Sequence, residues 1–275
     1  MRRYLVVLEY DGTQFHGSQV QRLQRTVQGE VEAALERLDG APVRTVFAGR
    51  TDAGVHAQGQ VVGFDLGRER NPAELAAALS GLMPGDVAAK AAAVVPAGFS
   101  PRHWAEARRY RYRLLLARVR APLRERYAFR VGAEIDPEPM RKAAERYRGQ
   151  HDFGAFGRPP QGTSTVRTLT RLDLEVRDDA LDVVVEGDAF LRRMVRRLIG
   201  TLVDVGRGRT DWREAASAVD DPQNNAVGPA LPAQGLTLEG VAYGRERLGL
   251  GTGRWWSSEP LVAGTDVTLA RGVRK

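Results

Sequence analysis

Apolar and polar positions recur along the chain in two rhythms. Tyr4-Leu5-Val6-Val7-Leu8 is a continuous apolar run of strand length, and Glu9-Tyr10-Asp11-Gly12-Thr13 turns out of it. From Thr26 the spacing becomes helical, with apolar residues at Val27, Val31, Ala34, Leu35 and Leu38 and Thr26 as the N-cap. Residues 43–47 and 60–66 return to strand character. Asn71-Pro72-Ala73-Glu74 combines a cap, a proline at the first helical position and an early acid. Its stripe continues through Leu75, Leu79 and Leu82 to Met83-Pro84-Gly85, and residues 87–95 form another strand. This order predicts a compact α+β unit with helices on one face of an antiparallel sheet.

A boundary falls at residues 96–101. Beyond it, Arg109-Tyr110-Arg111-Tyr112-Arg113-Leu114 alternates, so the tyrosines share one strand face and the arginines the other. Asp136-Pro137 opens a helix carrying Met140, Ala143, Ala144 and Tyr147. Residues 166–176 and 181–185 pair as a hairpin about Asp178-Asp179. A helix over about 191–205 has Leu191, Met194, Val195, Leu198 and Leu202 as its stripe, leaving Arg192, Arg193, Arg196 and Arg197 elsewhere on its surface. Asp211-x-x-Glu214 opens a short helix, and 236–243 is a final strand. The expected organisation is an N-terminal half (1–101), a C-terminal half (102–243) and a tail (244–275) of weak periodicity with no functional reading.

Composition narrows the chemistry. The 275 residues are 43% hydrophobic and 27% charged, the balance of a soluble globular protein large enough for two domains. Cysteine is absent, which removes disulfides and thiolate metal sites and suits a cytoplasmic location. No apolar run reaches 18 residues, so no membrane span is expected, and the run after Arg3 is too short for a signal peptide. The histidines, at 16, 56, 103 and 151, lack metal-ligand spacing, and no metal is assigned. Net charge is +7 and the sequence pI about 10.1. Lysine occurs only at 90, 142 and 275, so nearly all of the 41 basic residues are arginine. A G+C-rich coding sequence explains arginine over lysine but not the positive sum. Ten arginines lie from Arg102 to Arg130 against two acids, Glu106 and Glu125, which favours a polyanionic partner, most simply nucleic acid.

The candidate chemistry centres on the stretch between the second and third strands, Gly49-Arg50-Thr51-Asp52-Ala53-Gly54-Val55-His56. Two glycines bracket a guanidinium and a carboxylate. This is either a site or a tight turn in which Asp52 bonds nearby amides. Taken singly, Tyr110 reads as a core tyrosine, Arg196 as a solvated helix arginine, Arg50 as a phosphate-binding or solvated side chain, and His56 as a loop brace.

The eight-residue stretch resembles the signature of the tRNA pseudouridine synthase A (TruA) family. Five further motifs follow the family's order: Tyr10-Asp11-Gly12-Thr13-x-Phe15-x-Gly17, Ala107-Arg108-Arg109-Tyr110-Arg111-Tyr112, Gly149-x-His151-Asp152-Phe153-x-x-Phe156, Ala189-Phe190-Leu191-x-x-Met194-Val195-Arg196 and Pro232-Ala233-x-Gly235-Leu236. The likeness covers roughly residues 1–243, and it departs at Ser18, where the family usually has a tryptophan that packs or contacts RNA. It implies the pseudouridine synthase fold: two similar α/β-sandwich halves, antiparallel sheets with helices on one face, and a cleft between the halves that the second half completes. It implies isomerisation of uridines 38, 39 and 40 in the tRNA anticodon stem-loop, by a homodimer that holds one tRNA across both subunits, without a cofactor. Asp52 is then the catalytic residue, and Tyr110, Arg50, Arg196 and Leu236 bind substrate, with Arg196 favouring the anionic form of Asp52. Two other classes share the pattern: a tRNA-binding protein that has lost catalysis, and a nucleoside hydrolase activating water with Asp52. Binding alone has no use for the Asp52, Tyr110 and Arg196 combination, and a hydrolase lacks its metal-binding aspartate cluster here.

Overall fold

The computed structural model describes residues 1–132, 135–160, 162–224 and 226–261. Along the chain run β1 (Arg2–Tyr10), α1 (Val27–Asp39), β2 (Val46–Phe47), β3 (His56–Leu66), α2 (Pro72–Leu82), β4 (Val87–Val94), β5 (Ala107–Leu115), β6 (Phe129–Arg130), α3 (Pro137–Tyr147), β7 (Gly149–Asp152), β8 (Val166–Arg177), β9 (Ala180–Gly187), α4 (Met194–Gly206), α5 (Trp212–Ala216), β10 (Leu236–Gly244), α6 (Arg245–Leu248) and β11 (Arg254–Trp256). The chain divides into two units of α+β architecture. One is Met1–Glu106 with the described residues from Leu238 onward, and the other is Ala107–Thr237.

In the first unit β1 lies between β4 and β3, antiparallel to both, and β10 follows β3. Tyr4 faces Phe64 and Val6 faces Val62 across the β1–β3 ladder. The helices start where side chains satisfy their first amides. Thr26 accepts from the Gly29 N–H, and Asn71 accepts from the Ala73 N–H ahead of Pro72. Leu35, Leu75 and Leu79 are fully buried, each contributing about 2 kcal/mol of hydrophobic stabilisation.

The second unit has the order β5-β9-β8-β7, with β6 parallel to the end of β5. Helix α3, capped by Asp136, packs against β8, α4 and α5, and the Tyr147 hydroxyl donates to the Ala215 carbonyl. The hairpin turns at Asp178, whose φ of 45° is the left-handed conformation an aspartate tolerates.

Several boundaries differ from the sequence expectation. The strand expected over 43–47 shrinks to β2, whereas β3 begins four residues early, at His56. Helix α4 starts at Met194 rather than near 191, because Arg193 sits at φ 64° and breaks the turn before it. β10 is not the final strand. β11 pairs with it, Tyr243 opposite Trp255, with their rings stacked at 6.1 Å. Ser257 donates to the Gly59 carbonyl at 2.7 Å and accepts from the Val241 N–H at 2.8 Å. Residues 245–261 of the expected tail thus belong to the first unit, with β11 in its sheet, and 262–275 lie outside the described residues.

Candidate active site

The loop carrying Asp52 is held mainly by backbone and neutral side-chain hydrogen bonds, and the segment after β1 supplies most of them. Gly12 lies so close to the loop that a β-carbon there comes within 2.0 Å of the Val55 carbonyl oxygen. Gly17, at φ 96°, also lies close, a β-carbon there coming within 2.9 Å of the Thr51 carbonyl oxygen. Ser18 is buried and makes a two-way clamp: its N–H donates to the Thr51 carbonyl at 3.1 Å, and its Oγ accepts from the Thr51 N–H at 2.9 Å. The Thr51 and Tyr10 hydroxyls share a 2.8 Å hydrogen bond. Burial pushes the Tyr10 phenol up to about 12, despite hydrogen bonds to Thr51 and Gln60 that pull it down. Gln60, fully buried on β3, donates to the Gly49 carbonyl at 2.9 Å. Gly54, at φ 79°, closes the turn, and the Val55 N–H donates to the Asp52 carbonyl. The outcome is a half-buried Asp52 between clamped neighbours, with Arg50 exposed two residues before it.

His56 braces the far end. Its Nδ1 lies 3.0 Å from the Gly12 nitrogen and 3.1 Å from Asp11 Oδ1. The Gly12 N–H donates to Nδ1. Asp11 Oδ1 also accepts from the Thr13 N–H and hydroxyl.

In the second unit, Tyr110, Arg196 and Leu236 lie in one neighbourhood. Tyr110 is nearly buried on β5, edge-on to Phe190 at 5.3 Å. Tyr112, two residues on and fully buried, donates to the Pro232 carbonyl at 2.7 Å. Gly235 allows that packing, because a β-carbon there comes within 2.5 Å of the Tyr112 ring. Leu236 follows, also buried. Arg196 donates from Nε to the Leu231 carbonyl at 2.6 Å, and its own carbonyl accepts from the Leu231 N–H. Burial raises the Tyr112 phenol well above its ordinary value, and the charge of Arg196 partly opposes the shift. Three of the sequence motifs thus converge on one pair of tyrosines. Among the described residues no three His, Asp or Glu are grouped so as to hold a metal ion.

The sequence pattern of the tRNA pseudouridine synthase family matches residues 6–102 and 143–244. Over 245 residues the chain is 45% identical to tRNA pseudouridine synthase A of Myxococcus xanthus, spanning 88% of this chain and 92% of that protein. It is 44% identical to tRNA pseudouridine synthase A of Methylobacterium nodulans, spanning 88% and 96%. The chain belongs to this family. It is accordingly an isomerase of the tRNA pseudouridine synthase A type, with the α+β fold expected of one. A crystal structure of an archaeal box H/ACA sRNP complex is also similar, at 10% identity and a TM-score of 0.38, covering 74% of this chain and 44% of that one.

The basic run needs revision against this family background. Arg109 pairs with Glu186 at 3.0 Å, Arg111 and Arg113 with Asp182 at 2.9 and 2.8 Å, Arg124 with Asp179 at 2.5 Å and Arg130 with Glu125 at 3.2 Å. At least half of the arginines that read as an open basic surface are therefore neutralised, mostly by acids of the β8–β9 hairpin. Burial alone would raise the Asp182 carboxyl, but hydrogen bonds from Arg113 and Arg111 outweigh it and hold the group below the usual carboxylate range. The residues that sequence reasoning missed are the braces, Tyr10, Ser18 and Gln60. Gln60 did carry a signal, a polar residue leading an apolar strand run.

Proposed function

We propose that the protein isomerises uridine to pseudouridine at positions 38, 39 and 40 of the tRNA anticodon stem-loop, with Asp52 as the catalytic carboxylate. One observation carries this reading: the family signature loop is clamped on both sides, so that a single half-buried carboxylate is presented at its centre. The reaction breaks the bond from ribose C1′ to uracil N1, turns the base and joins C1′ to C5. The C5 hydrogen leaves as a proton and N1 gains one, so no redox partner, cofactor or metal is required by the balance. Asp52 serves as nucleophile or base and must be ionised. The roles carried over from the family likeness are Arg196 favouring that anion, Tyr110 contacting the uracil, Leu236 lining the base site and Arg50 holding the target nucleotide out of its stack. The working form is a cytoplasmic homodimer with one tRNA held across both subunits.

The test is release of label from tRNA carrying tritium at uridine C5. The wild type should release it without strand cleavage or free uracil, and replacing uridines 38–40 in the transcript should abolish release. Asp52→Asn should lower turnover by at least about a thousandfold with tRNA binding retained. A variant keeping more than about a tenth of the rate, or free uracil among the products, overturns the reading.

A further inference from the structure

The second unit sorts its arginines into two classes. Several on β5 and β8 pair with carboxylates: Arg109, Arg111 and Arg113 as above, and Arg171 with Asp173 and Glu175. Four others, beside the start of α4, differ. Among the described residues no carboxylate lies within ion-pairing distance of Arg158, Arg192, Arg193 or Arg197. These four are physically contiguous. Arg158 and Arg192 are joined by an isolated β-bridge, the Arg192 N–H donating to the Arg158 carbonyl at 2.9 Å. Gly157 permits that approach, since a β-carbon there comes within 2.5 Å of the Arg192 carbonyl oxygen. Arg193 follows in its left-handed conformation, and the Arg197 N–H donates to its carbonyl.

Beside this patch is a cavity of about 510 Å³, lined in part by Arg158, Arg197, Thr165, Gln223 and Asn224. That volume is in the range of small-ligand sites and admits a ribose with its phosphate. Asn224 is held in place, donating to Ser217 and accepting from the Ala226 N–H. Arg197 gives one N–H to the Ala155 carbonyl at 3.3 Å, which orients its plane and leaves further donors. The lining contains no acid. Asp152 and Asp221, next to lining residues in sequence, each accept from a local amide, Gly154 and Gln223. A concave surface with two guanidinium groups and no anion selects phosphate over neutral or cationic ligands.

We propose that the Arg158–Arg197 cavity and the adjoining Arg192–Arg193 surface form a backbone track for the tRNA, with consecutive phosphodiesters of the strand seated there. The inference rests on the tRNA reading of the preceding subsection and adds where the RNA backbone is gripped. Position strengthens it: Arg197 neighbours Arg196 on α4, so strand held in the cavity is held next to the residue assigned to the reaction. RNA is favoured over a free anion because the arginine surface extends past the cavity, as a chain of phosphates requires and a single ion does not.

The experiment measures affinity of the full-length protein for transcribed tRNA from about 50 to 300 mM KCl. Arg158→Ala combined with Arg197→Gln should reduce the slope of log affinity against log salt by about 2, about 1 per arginine, and weaken binding at least roughly tenfold at the low-salt end. Arg158→Lys with Arg197→Lys should restore most of the slope, because charge is kept. An unchanged slope in the neutral variant overturns the proposal. So does a lysine variant as weak as the neutral one, because the loss is then structural rather than electrostatic. If the double variant does not fold, Arg158→Ala alone suffices: that side chain is exposed, and its slope should fall by about 1. Failure of the underlying tRNA reading is separate, and appears as no label release by the wild type.

Discussion

The Asp52 loop and the β5 strand each carry one of the family motifs, and they are stiffened by opposite means. Around Asp52 the clamps described are neutral: the Ser18–Thr51 pair, the Tyr10–Thr51 hydroxyl pair and the Gln60 amide on the Gly49 carbonyl. β5 instead holds Tyr110 and Tyr112 on its apolar face and balances the other face with Arg109, Arg111 and Arg113 against Glu186 and Asp182. A loop clamped by neutral bonds keeps its shape as salt and pH vary. A strand balanced by ion pairs does not, and its stability follows the ionisation of its acids.

Three substitutions probe that contrast. The largest effect is expected from Gly12→Ala, whose new methyl group collides with the Val55 carbonyl oxygen and must displace backbone. It should cost about 3 kcal/mol in urea unfolding and lower turnover by roughly a hundredfold, the loss expected when a reacting group shifts by an ångström. A variant with wild-type turnover would show that the β1 segment does not position the loop. Next comes Asp182→Asn, which leaves Arg111 and Arg113 without their buried anion. Because both arginines are partly exposed, the cost at pH 7 should be about 2 kcal/mol, below the range for fully buried pairs. The Asp182 carboxyl is held below its ordinary value, so its contribution exists above about pH 4 and is lost as pH falls through its folded pKa. The difference between wild type and variant should therefore shrink progressively as pH falls below about 4, whereas the Gly12→Ala cost should stay constant over the same range. Ser18→Ala should have the smallest effect. It deprives the buried Thr51 N–H of its acceptor, for about 1 kcal/mol and a several-fold fall in turnover, with tRNA affinity unchanged. Loss of affinity without loss of rate would mean that position 18 contacts RNA, as the family's usual tryptophan suggested.

The elements that were legible in the sequence are those with local causes. Thr26, Asn71, Asp136 and Asp211 each cap the helix predicted after them, because capping depends on residues two or three positions away. The loop around Asp52 was legible as a motif. The reason it is rigid was not, since Ser18 and Gln60 reach Thr51 and Gly49 only through tertiary folding. The same limit explains the arginine run. Arg113 and Asp182 are 69 positions apart, so local charge counting finds an excess where the folded strand has a pair. The short β6, β7 and β11 have too few residues for a period to register, and Arg193 broke the start of α4 against an unbroken apolar stripe.

The hydroxyl of Ser257 on the Gly59 carbonyl has a consequence for how the protein is made. The first unit is closed by residues from Leu238 onward, after the whole of Ala107–Thr237 has been translated. A ribosome adding about 5–20 residues each second leaves the β3 edge without β10 for on the order of ten seconds. During that interval the nascent chain presents a long apolar strand with open hydrogen-bonding groups, the kind of edge that recruits chaperones or other strands. The Asp52 loop, which leads directly into β3, thus has its neighbouring sheet completed only after β10 and β11 have left the exit tunnel.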